Sequence, residues 1–558
     1  MFRSNFIRNS RSAFKQFSKR SYSWRSVSTS PRLAKHATSA LAIGLSSAIV
    51  LSVTSSIISN DIKYEDKLFP EPKLIPVDEF LKHNKPDDCW VVLNGWVYDM
   101  TEFKEIHPGG RNVIIRNAGK DATKIFTPIH PPDAIEKFLP AEKIIGKLDG
   151  IIEQEEEEDP DELERQERIS NIPSLNQVYN IADFENIAKQ ILPKGAWAYY
   201  SSGADDEITL RENHYAYHRV FFRPRILVDV SEIDLSTTML GQKTSAPFYI
   251  SATALARLGH PDGEVAIAKA AGREDIIQMI STLASASLDE ITEVATEDQK
   301  QWFQLYVNAD RNIAYKMVAN AESKKSIKGI FITVDAPSLG NREKDKKIKF
   351  EGDTDVDLED NADRASGASR ALSSFIDTAL TWKDIDVIKQ KTKLPIVIKG
   401  IQRAEDALKA AEHGVDAIVL SNHGGRQLDF APAPLQLLSD IMPVLREKKL
   451  DGKMEVFVDG GVRRGTDVLK ALCLGATGVG IGRPVLYSMS AYGEAGVTKA
   501  IQLLKDELEM DMRLLGVTKI SDLGPEFVDT RGLIGVHAKD MLYDNLYAPL
   551  EPVKFKDE

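Results

Sequence analysis

The sequence predicts an α/β protein whose larger part is a (β/α)8 barrel, with a small α+β domain ahead of it. Three observations carry this. Short apolar runs alternate with amphipathic runs over residues 172–525. Those apolar runs are continuously rich in Val and Ile, which marks strands covered on both faces. Ahead of residue 150, by contrast, the apolar runs are short and meet at an Asn-Gly pair.

In the larger part the strand-like runs are GIFITVDAP (329–337), LPIVIKG (394–400), DAIVLSNHGG (416–425), EVFVDGG (455–461) and ATGVGIGRP (476–484). Between them lie helical runs such as AEDALKAAEHG (404–414) and GTDVLKALCLG (465–475). Alternation of this kind argues for a parallel sheet. The spacing and domain length favour a TIM barrel over a doubly wound sheet. Barrel active sites lie at the C-terminal strand ends. Here those ends carry Asp335, Lys399, His423 with Arg426, Asp459 with Arg463, and Gly482 with Arg483. Any one of these could be a loop cap, but polar residues at five strand ends are not a packing pattern. Glycines and arginines after the last two strands predict a phosphate site, since backbone N–H groups and guanidinium forks match phosphate oxygens. No strand–GxGxxG–helix opening occurs, which disfavours NAD; a phosphate-bearing flavin fits.

The small domain is expected over 74–150. WVVL and WVYDM flank Asn94-Gly95 and read as a hairpin. His107-Pro108-Gly109-Gly110 follows, and His130 lies 23 residues beyond His107. Pro-Gly-Gly would turn tightly and bring backbone close to a flat ligand. Two neutral imidazoles can fill both axial positions of a haem iron. Such an iron has no open position and carries electrons. Either histidine alone would read as an ordinary surface or core residue.

Residues 151–171 include five Glu in the six positions 153–158 and read as an acidic, solvated hinge. Residues 526–558 read as an irregular, poorly packed tail. Residues 1–60 hold nine Lys or Arg and no acid, which leaves 62 Lys or Arg against 83 Asp or Glu beyond them, a net charge of −21. That acidic body excludes nucleic acid, whose phosphates reward basic surfaces, and suits a basic protein partner. The two cysteines, Cys89 and Cys473, exclude a disulfide framework, and neither stands in a CxxCH context.

Residues 1–73 are expected to be a mitochondrial presequence. Their apolar stretch 40–58 is long enough to span a membrane but diluted by serines. A permanent anchor is one reading. A sorting stretch, cut so that the membrane matters only during import, is the one the dilution favours. Both place the body in the intermembrane space.

The segment 74–150 resembles the cytochrome b5 domain in its Trp90-Val91-Val92 strand, Tyr98-Asp99-Met100-Thr101, His-Pro-Gly-Gly and the later histidine. The resemblance implies His107 and His130 as ligands of haem b. The stretch 172–525 resembles the FMN-dependent 2-hydroxy-acid oxidising family. Its most specific match is SNHGGRQLD (421–429), with AYYSSGADDE (198–207), SATA (251–254), QLYV (304–307), TVDAPSLGNRE (333–343), VIKG (397–400), VDGGVRRGTD (458–467) and IGRP (481–484) in order.

That resemblance implies His423 as the base at the substrate carbinol, with Asp335 stabilising its protonated form. It implies that Arg426 and Tyr199 grip the substrate carboxylate, that Tyr306 bonds the substrate oxygen, and that Arg342, beside a charged mobile loop (343–370), is a second carboxylate partner. Lys399 would face the flavin N1/O2 edge. Ser251, Ala252, Thr253, Ala254, Ser281, Gln304 and Thr333 would line the isoalloxazine. Asp459, Gly460, Gly461, Val462, Arg463, Gly482 and Arg483 would hold the ribityl phosphate. Ala254 and Leu283 would shape the substrate pocket; glycolate-oxidising members carry Trp where Leu283 stands.

The two resemblances together imply a lactate-oxidising member that yields pyruvate and passes electrons from FMN through haem b to cytochrome c. The resemblance also implies a homotetramer. The alternatives are another 2-hydroxy acid (glycolate, mandelate), a peroxide-forming oxidase, or a redox-sensing module on an inactive barrel.

Overall fold

The structure, a computed structural model, describes residues 73–105, 107, 111–152, 160–349 and 377–533. Except for residue 73, the expected presequence lies outside the described residues, as do the Pro108–Gly110 turn, most of the 343–370 loop and the tail beyond 533. Among the described residues no helix is long and apolar enough to cross a membrane.

In the small domain, β1 (Leu74–Pro76), β2 (Asn84–Lys85), β3 (Asp88–Leu93), β4 (Trp96–Asp99) and β5 (Ile144–Asp149) form one sheet in the order β1-β5-β4-β3-β2. The expected hairpin joins β3 to β4. Asn94 (φ 52°) and Gly95 (φ 78°) are both left-handed, as a two-residue type I′ turn demands. Side chains then alternate between two apolar faces. Cys89, Val91 and Leu93 pack with Ile114, while Val92 and Val97 pack with Ile75 and Phe80. Helices Arg111–Arg116 and Thr123–Phe126 follow His107 and precede His130.

In the large domain, β6 (Phe248–Ile250), β7 (Gln278–Ser281), β8 (Gln301–Leu305), β9 (Ile327–Thr333), β10 (Ile396–Ile401), β11 (Ala417–Leu420), β12 (Glu455–Asp459) and β13 (Gly478–Ile481) run parallel and close into a barrel, with β13 pairing back to β6. The last five are the runs read from sequence. Of the first three, β7 and β8 escaped that reading because they carry glutamines, and β6 because it is only three residues long. Burial of those glutamines is tolerated because they pair: the Gln301 amide donates to Gln278 Oε1 at 2.9 Å.

Tyr249, Met279, Trp302, Phe331, Val397 and Phe457 fill the barrel interior, with Trp302 stacked on Phe331 at 4.6 Å. Ile280, Ile332, Ile398, Leu420 and Val458 face the surrounding helices. Burial on both faces is why these strands show no polar alternation.

Three departures from the sequence reading concern connections. Pro160–Ser170, in the expected hinge, is a helix without a buried residue. It is held by Arg165–Glu162 and Arg168–Glu164 pairs at helical spacing, and Arg165 Nη1 donates to the Ile191 carbonyl at 2.9 Å. Glu343–Lys349, in the expected mobile loop, is also helical. The start of the tail is packed: Val528–Asp529 pairs antiparallel with Phe221–Phe222, and Phe527, Val528 and Leu533 are buried. Three apolar residues without a period give no sequence signal for such docking.

Candidate functional site

Two side-chain clusters carry chemistry. In the small domain the rings of His107 and His130 stand 6.0 Å apart between centroids. With metal–nitrogen bonds of about 2 Å on each side, two ligating imidazoles must sit about 6 Å apart. His130 Nδ1 lies 3.1 Å from the Phe126 carbonyl. Nδ1–H donates there, which leaves the Nε2 lone pair for a metal. Burial lowers the His130 pKa and keeps the ring neutral, the ligating form. Phe126 stacks on His130 at 4.2 Å, and Val113, Ile125, Ile129 and Phe138, on the segments around the histidines, are exposed. An apolar macrocycle clamped by two histidines fits this set.

In the barrel, the strand-end residues converge. His423 follows β11, and its backbone is left-handed (φ 60°), a strained state that clusters at functional sites. Its Nδ1–H donates to Asp335 Oδ1 at 2.8 Å, so Nε2 is the free base and accepts from the Tyr306 hydroxyl at 3.2 Å. Burial lowers the His423 pKa; Asp335 opposes this and Lys399 adds to it. Burial alone would raise the Asp335 pKa, but Lys399 and His423 outweigh it and hold the carboxyl below its usual range. The pair is thus neutral imidazole and carboxylate. Only glycine fits beneath it: at Gly400 (φ 114°) a Cβ would lie 2.6 Å from Asp335 Cβ.

Lys399 Nζ lies 3.6 Å from Asp459 and 3.9 Å from Asp335, and donates to Ser421 Oγ at 3.1 Å. Burial works against its charge, but Asp459 and Asp335 raise its pKa above the ordinary value. Tyr306 is pushed up to about 12 by burial, so it stays a hydroxyl and a donor.

Two guanidiniums stand close enough for their charges to interact. Arg426 Nη1 donates to the carbonyls of Tyr199 (2.7 Å) and Ser202 (3.0 Å), and its plane lies over the Tyr199 ring at 4.9 Å. Arg342 Nη2 donates to Gln427 Oε1 at 3.3 Å. Burial and the neighbouring Arg426 charge push Arg342 down to about 10. Adjacent cations of this kind, Arg342 buried and Arg426 half-buried, suit a carboxylate ligand.

The flavin-lining set also lies at strand ends. Gln304 accepts from Ser281 Oγ at 3.3 Å and donates to Thr333 Oγ1 at 2.9 Å. The Ser251 hydroxyl is buried without a partner. Ala252, Thr253 and Ala254 are half-buried beside it, and the Leu255 N–H donates to the Leu283 carbonyl at 3.3 Å, joining the two segments that carry Ala254 and Leu283. An orphaned hydroxyl, a buried ammonium and an amide-lined wall fit a flavin.

The residues expected at phosphate take mixed roles. Gly460 and Gly461 have φ of 102° and 83°, and at Gly461 a Cβ would meet the Asn213 carbonyl at 2.0 Å. Val462 is buried. The Arg463 backbone N–H is taken by Asp467 at 2.9 Å, and its side chain donates to Glu185 Oε2 at 3.3 Å and to the Val462 carbonyl at 3.1 Å. Gly482 lies against Thr253 and Ser251. Arg483 donates once each from Nε, Nη1 and Nη2 to the carbonyls of Tyr200, Gly424 and Ser202 at 2.8–2.9 Å, which uses three of its five N–H groups, and is pushed down to about 10 by burial.

Sequence reading gave no role to two residues inside the SNHGGRQLD motif. Ser421 Oγ serves both Lys399 and the His423 N–H (3.1 Å each). Gln427 binds the Asp335 and Ser338 carbonyls, the Gly340 N–H and Arg342. Their partners are mostly backbone, which leaves no spacing signal.

The pH dependence of substrate capture follows. Protonated His423 cannot accept a proton, so kcat/KM is expected to fall on the acid side with a midpoint below the ordinary value of about 6.5. Asp335→Asn removes the charge that holds this pKa up. Its acid limb should move to still lower pH, and kcat should fall roughly 10- to 100-fold, as for loss of a charged hydrogen bond. A pH–rate profile whose limb moved upward would contradict the pairing.

Each cluster lies within a segment that matches a known family model. The family model for FMN-dependent dehydrogenase matches residues 188–530, and that for the cytochrome b5-like haem/steroid binding domain matches residues 76–149. The chain is 61% identical to an L-lactate dehydrogenase (cytochrome) of Wickerhamomyces anomalus, over 94% of this chain and 91% of that one. It is 53% identical to the Saccharomyces cerevisiae protein of the same name, over 91% and 90%. Among solved structures, a mutant flavocytochrome b2 with pyruvate bound matches with a TM-score of 0.64 and 55% identity, covering 72% of this chain and all of that one. The chain belongs to the FMN-dependent dehydrogenase family and carries a cytochrome b5-like domain ahead of its catalytic barrel.

Proposed function

We propose that the protein oxidises L-lactate to pyruvate with FMN and passes the two electrons singly through haem b to cytochrome c. We place it, from its first 73 residues and its acidic body, in the mitochondrial intermembrane space, and we infer a homotetramer from the family resemblance. The observation that carries the reading is the ordered set Asp335–His423–Tyr306 beside Arg342 and Arg426.

The roles follow from chemistry. The Arg426 and Arg342 guanidiniums hold the substrate carboxylate, Arg426 with its fork. That fixes the carbinol toward His423. The neutral His423 Nε2 takes a proton from the substrate, and Asp335, ionised and buried, stabilises the imidazolium formed. The Tyr306 hydroxyl, kept protonated by burial, donates to the substrate oxygen. The strand-end set would hold FMN, which when bound would supply a two-electron acceptor able to pass electrons on singly. Lys399 would balance the negative charge that grows at the ring edge on reduction. Leu283 and Ala254 leave room for the lactate methyl. One methyl is worth only about 1–3 kcal/mol, so neighbouring 2-hydroxy acids should also react.

The domain division is testable. His130→Ala removes one of the two imidazoles proposed as iron ligands. The variant should lose the low-spin haem spectrum and lactate-driven cytochrome c reduction, while reduction of a small artificial acceptor by L-lactate continues at the unaltered rate. Equal loss with both acceptors would show that the barrel depends on the small domain and would overturn the relay.

A further inference from the structure

Helix Ile208–His218 is not part of the barrel, yet it packs on the strand ends. Asn213 and Asn422 exchange hydrogen bonds of 2.8 and 2.7 Å, and Asn213 is the residue that Gly461 approaches. Between the helix and the strand-end turns lies a cavity lined by Arg211, His214, Gly424, Gly461, Arg463 and Arg483, with no acidic residue in its lining. Arg463 has Glu185 at 3.3 Å, while Arg483 meets only neutral carbonyls in its three hydrogen bonds.

Arg211 stands out. It is 4% exposed. Its Nη1 donates to the Asp206 carbonyl at 2.9 Å, but Nε and Nη2 have no hydrogen-bond partner. It makes no ion pair among the described residues. Its chain neighbours explain nothing of this: Leu210 packs against Gly425, and Thr209 bonds Asp429 and the Ala431 carbonyl. A buried guanidinium with two bare donors is costly unless an anion completes it.

We propose that Arg211 is a further ligand of the FMN phosphate, reaching it from the helix side while Arg463 and Arg483 reach it from the strand ends. The inference rests on the FMN reading above. A dianion shared by three guanidiniums would satisfy the orphaned donors and offset the crowding of cations.

The test uses the full-length chain, stripped of flavin and titrated by flavin fluorescence with FMN and, separately, with riboflavin, which lacks the phosphate. Arg211→Met keeps the length and removes the charge; Arg211→Lys keeps the charge and removes the fork. Arg211→Met should weaken FMN about 10- to 100-fold and leave riboflavin unchanged, with Arg211→Lys between. Equal weakening of both flavins would assign Arg211 to the fold and overturn the proposal, as would unchanged FMN affinity. If the unaltered chain itself did not prefer FMN to riboflavin, the cofactor reading would fall before Arg211 was touched.

Discussion

His423→Gln is expected to slow lactate-driven flavin reduction by about 10⁴-fold, the upper end for a positioned base. Glutamine can keep a hydrogen bond to Asp335 but cannot accept and hold a proton near neutral pH. In the native site Nδ1–H is fixed on Asp335 at 2.8 Å, which leaves Nε2 as the acceptor beside Tyr306. The strained backbone at His423 belongs to the same arrangement, since the left-handed turn places the ring over Asp335. The haem domain is untouched, so its absorption spectrum and its reduction by dithionite should be unaltered. Anaerobic single-turnover mixing with L-lactate measures the first effect, and a static spectrum measures the second. Flavin reduction within tenfold of the native rate would remove His423 from the chemistry.

Arg426→Lys is expected to cost about 10³-fold in kcat/KM for lactate, equivalent to about 4 kcal/mol and within the range for a broken buried charge pair. The guanidinium serves three partners at once, the Tyr199 carbonyl, the Ser202 carbonyl and the Tyr199 ring, beside Arg342. An ammonium reaches fewer of these and meets a carboxylate as a point charge. The carbinol would no longer be aligned on His423, so kcat should fall along with affinity. The methyl ester of lactate provides the check. The native protein should prefer the free acid strongly, and the variant should lose most of that preference. A preference left intact would place the carboxylate elsewhere.

Sequence made some layers of this molecule readable and left others silent. The barrel showed itself through β9 to β13, whose continuous Val and Ile runs have no other use than burial on both faces. The strands β7 and β8 carry Gln278, Gln301 and Gln304, polar residues that only the closed barrel pairs, and β6 is only three residues long. The hairpin at Asn94-Gly95 was legible because its turn admits few residue types. Helix Pro160–Ser170 was not, because charge pairs along its own surface hold it, not a core. In the site, His423, Asp335, Lys399, Arg426, Arg463 and Arg483 were legible because charged groups at strand ends have no structural excuse, while Arg342 came only from the family resemblance. Gln427, Ser421 and Arg211 were not, because what matters is the backbone or cavity each faces, and sequence spacing does not record that.

The central claim is that one chain takes electrons from L-lactate in the barrel and delivers them to its own haem. Anaerobic rapid mixing of the holoprotein with L-lactate, followed at both the flavin and haem bands, tests it most directly. The account predicts that flavin bleaches first and haem reduction follows, with L-lactate and not with D-lactate. Flavin bleaching while the haem stays oxidised would contradict the relay, and no change at either band would contradict lactate as the substrate.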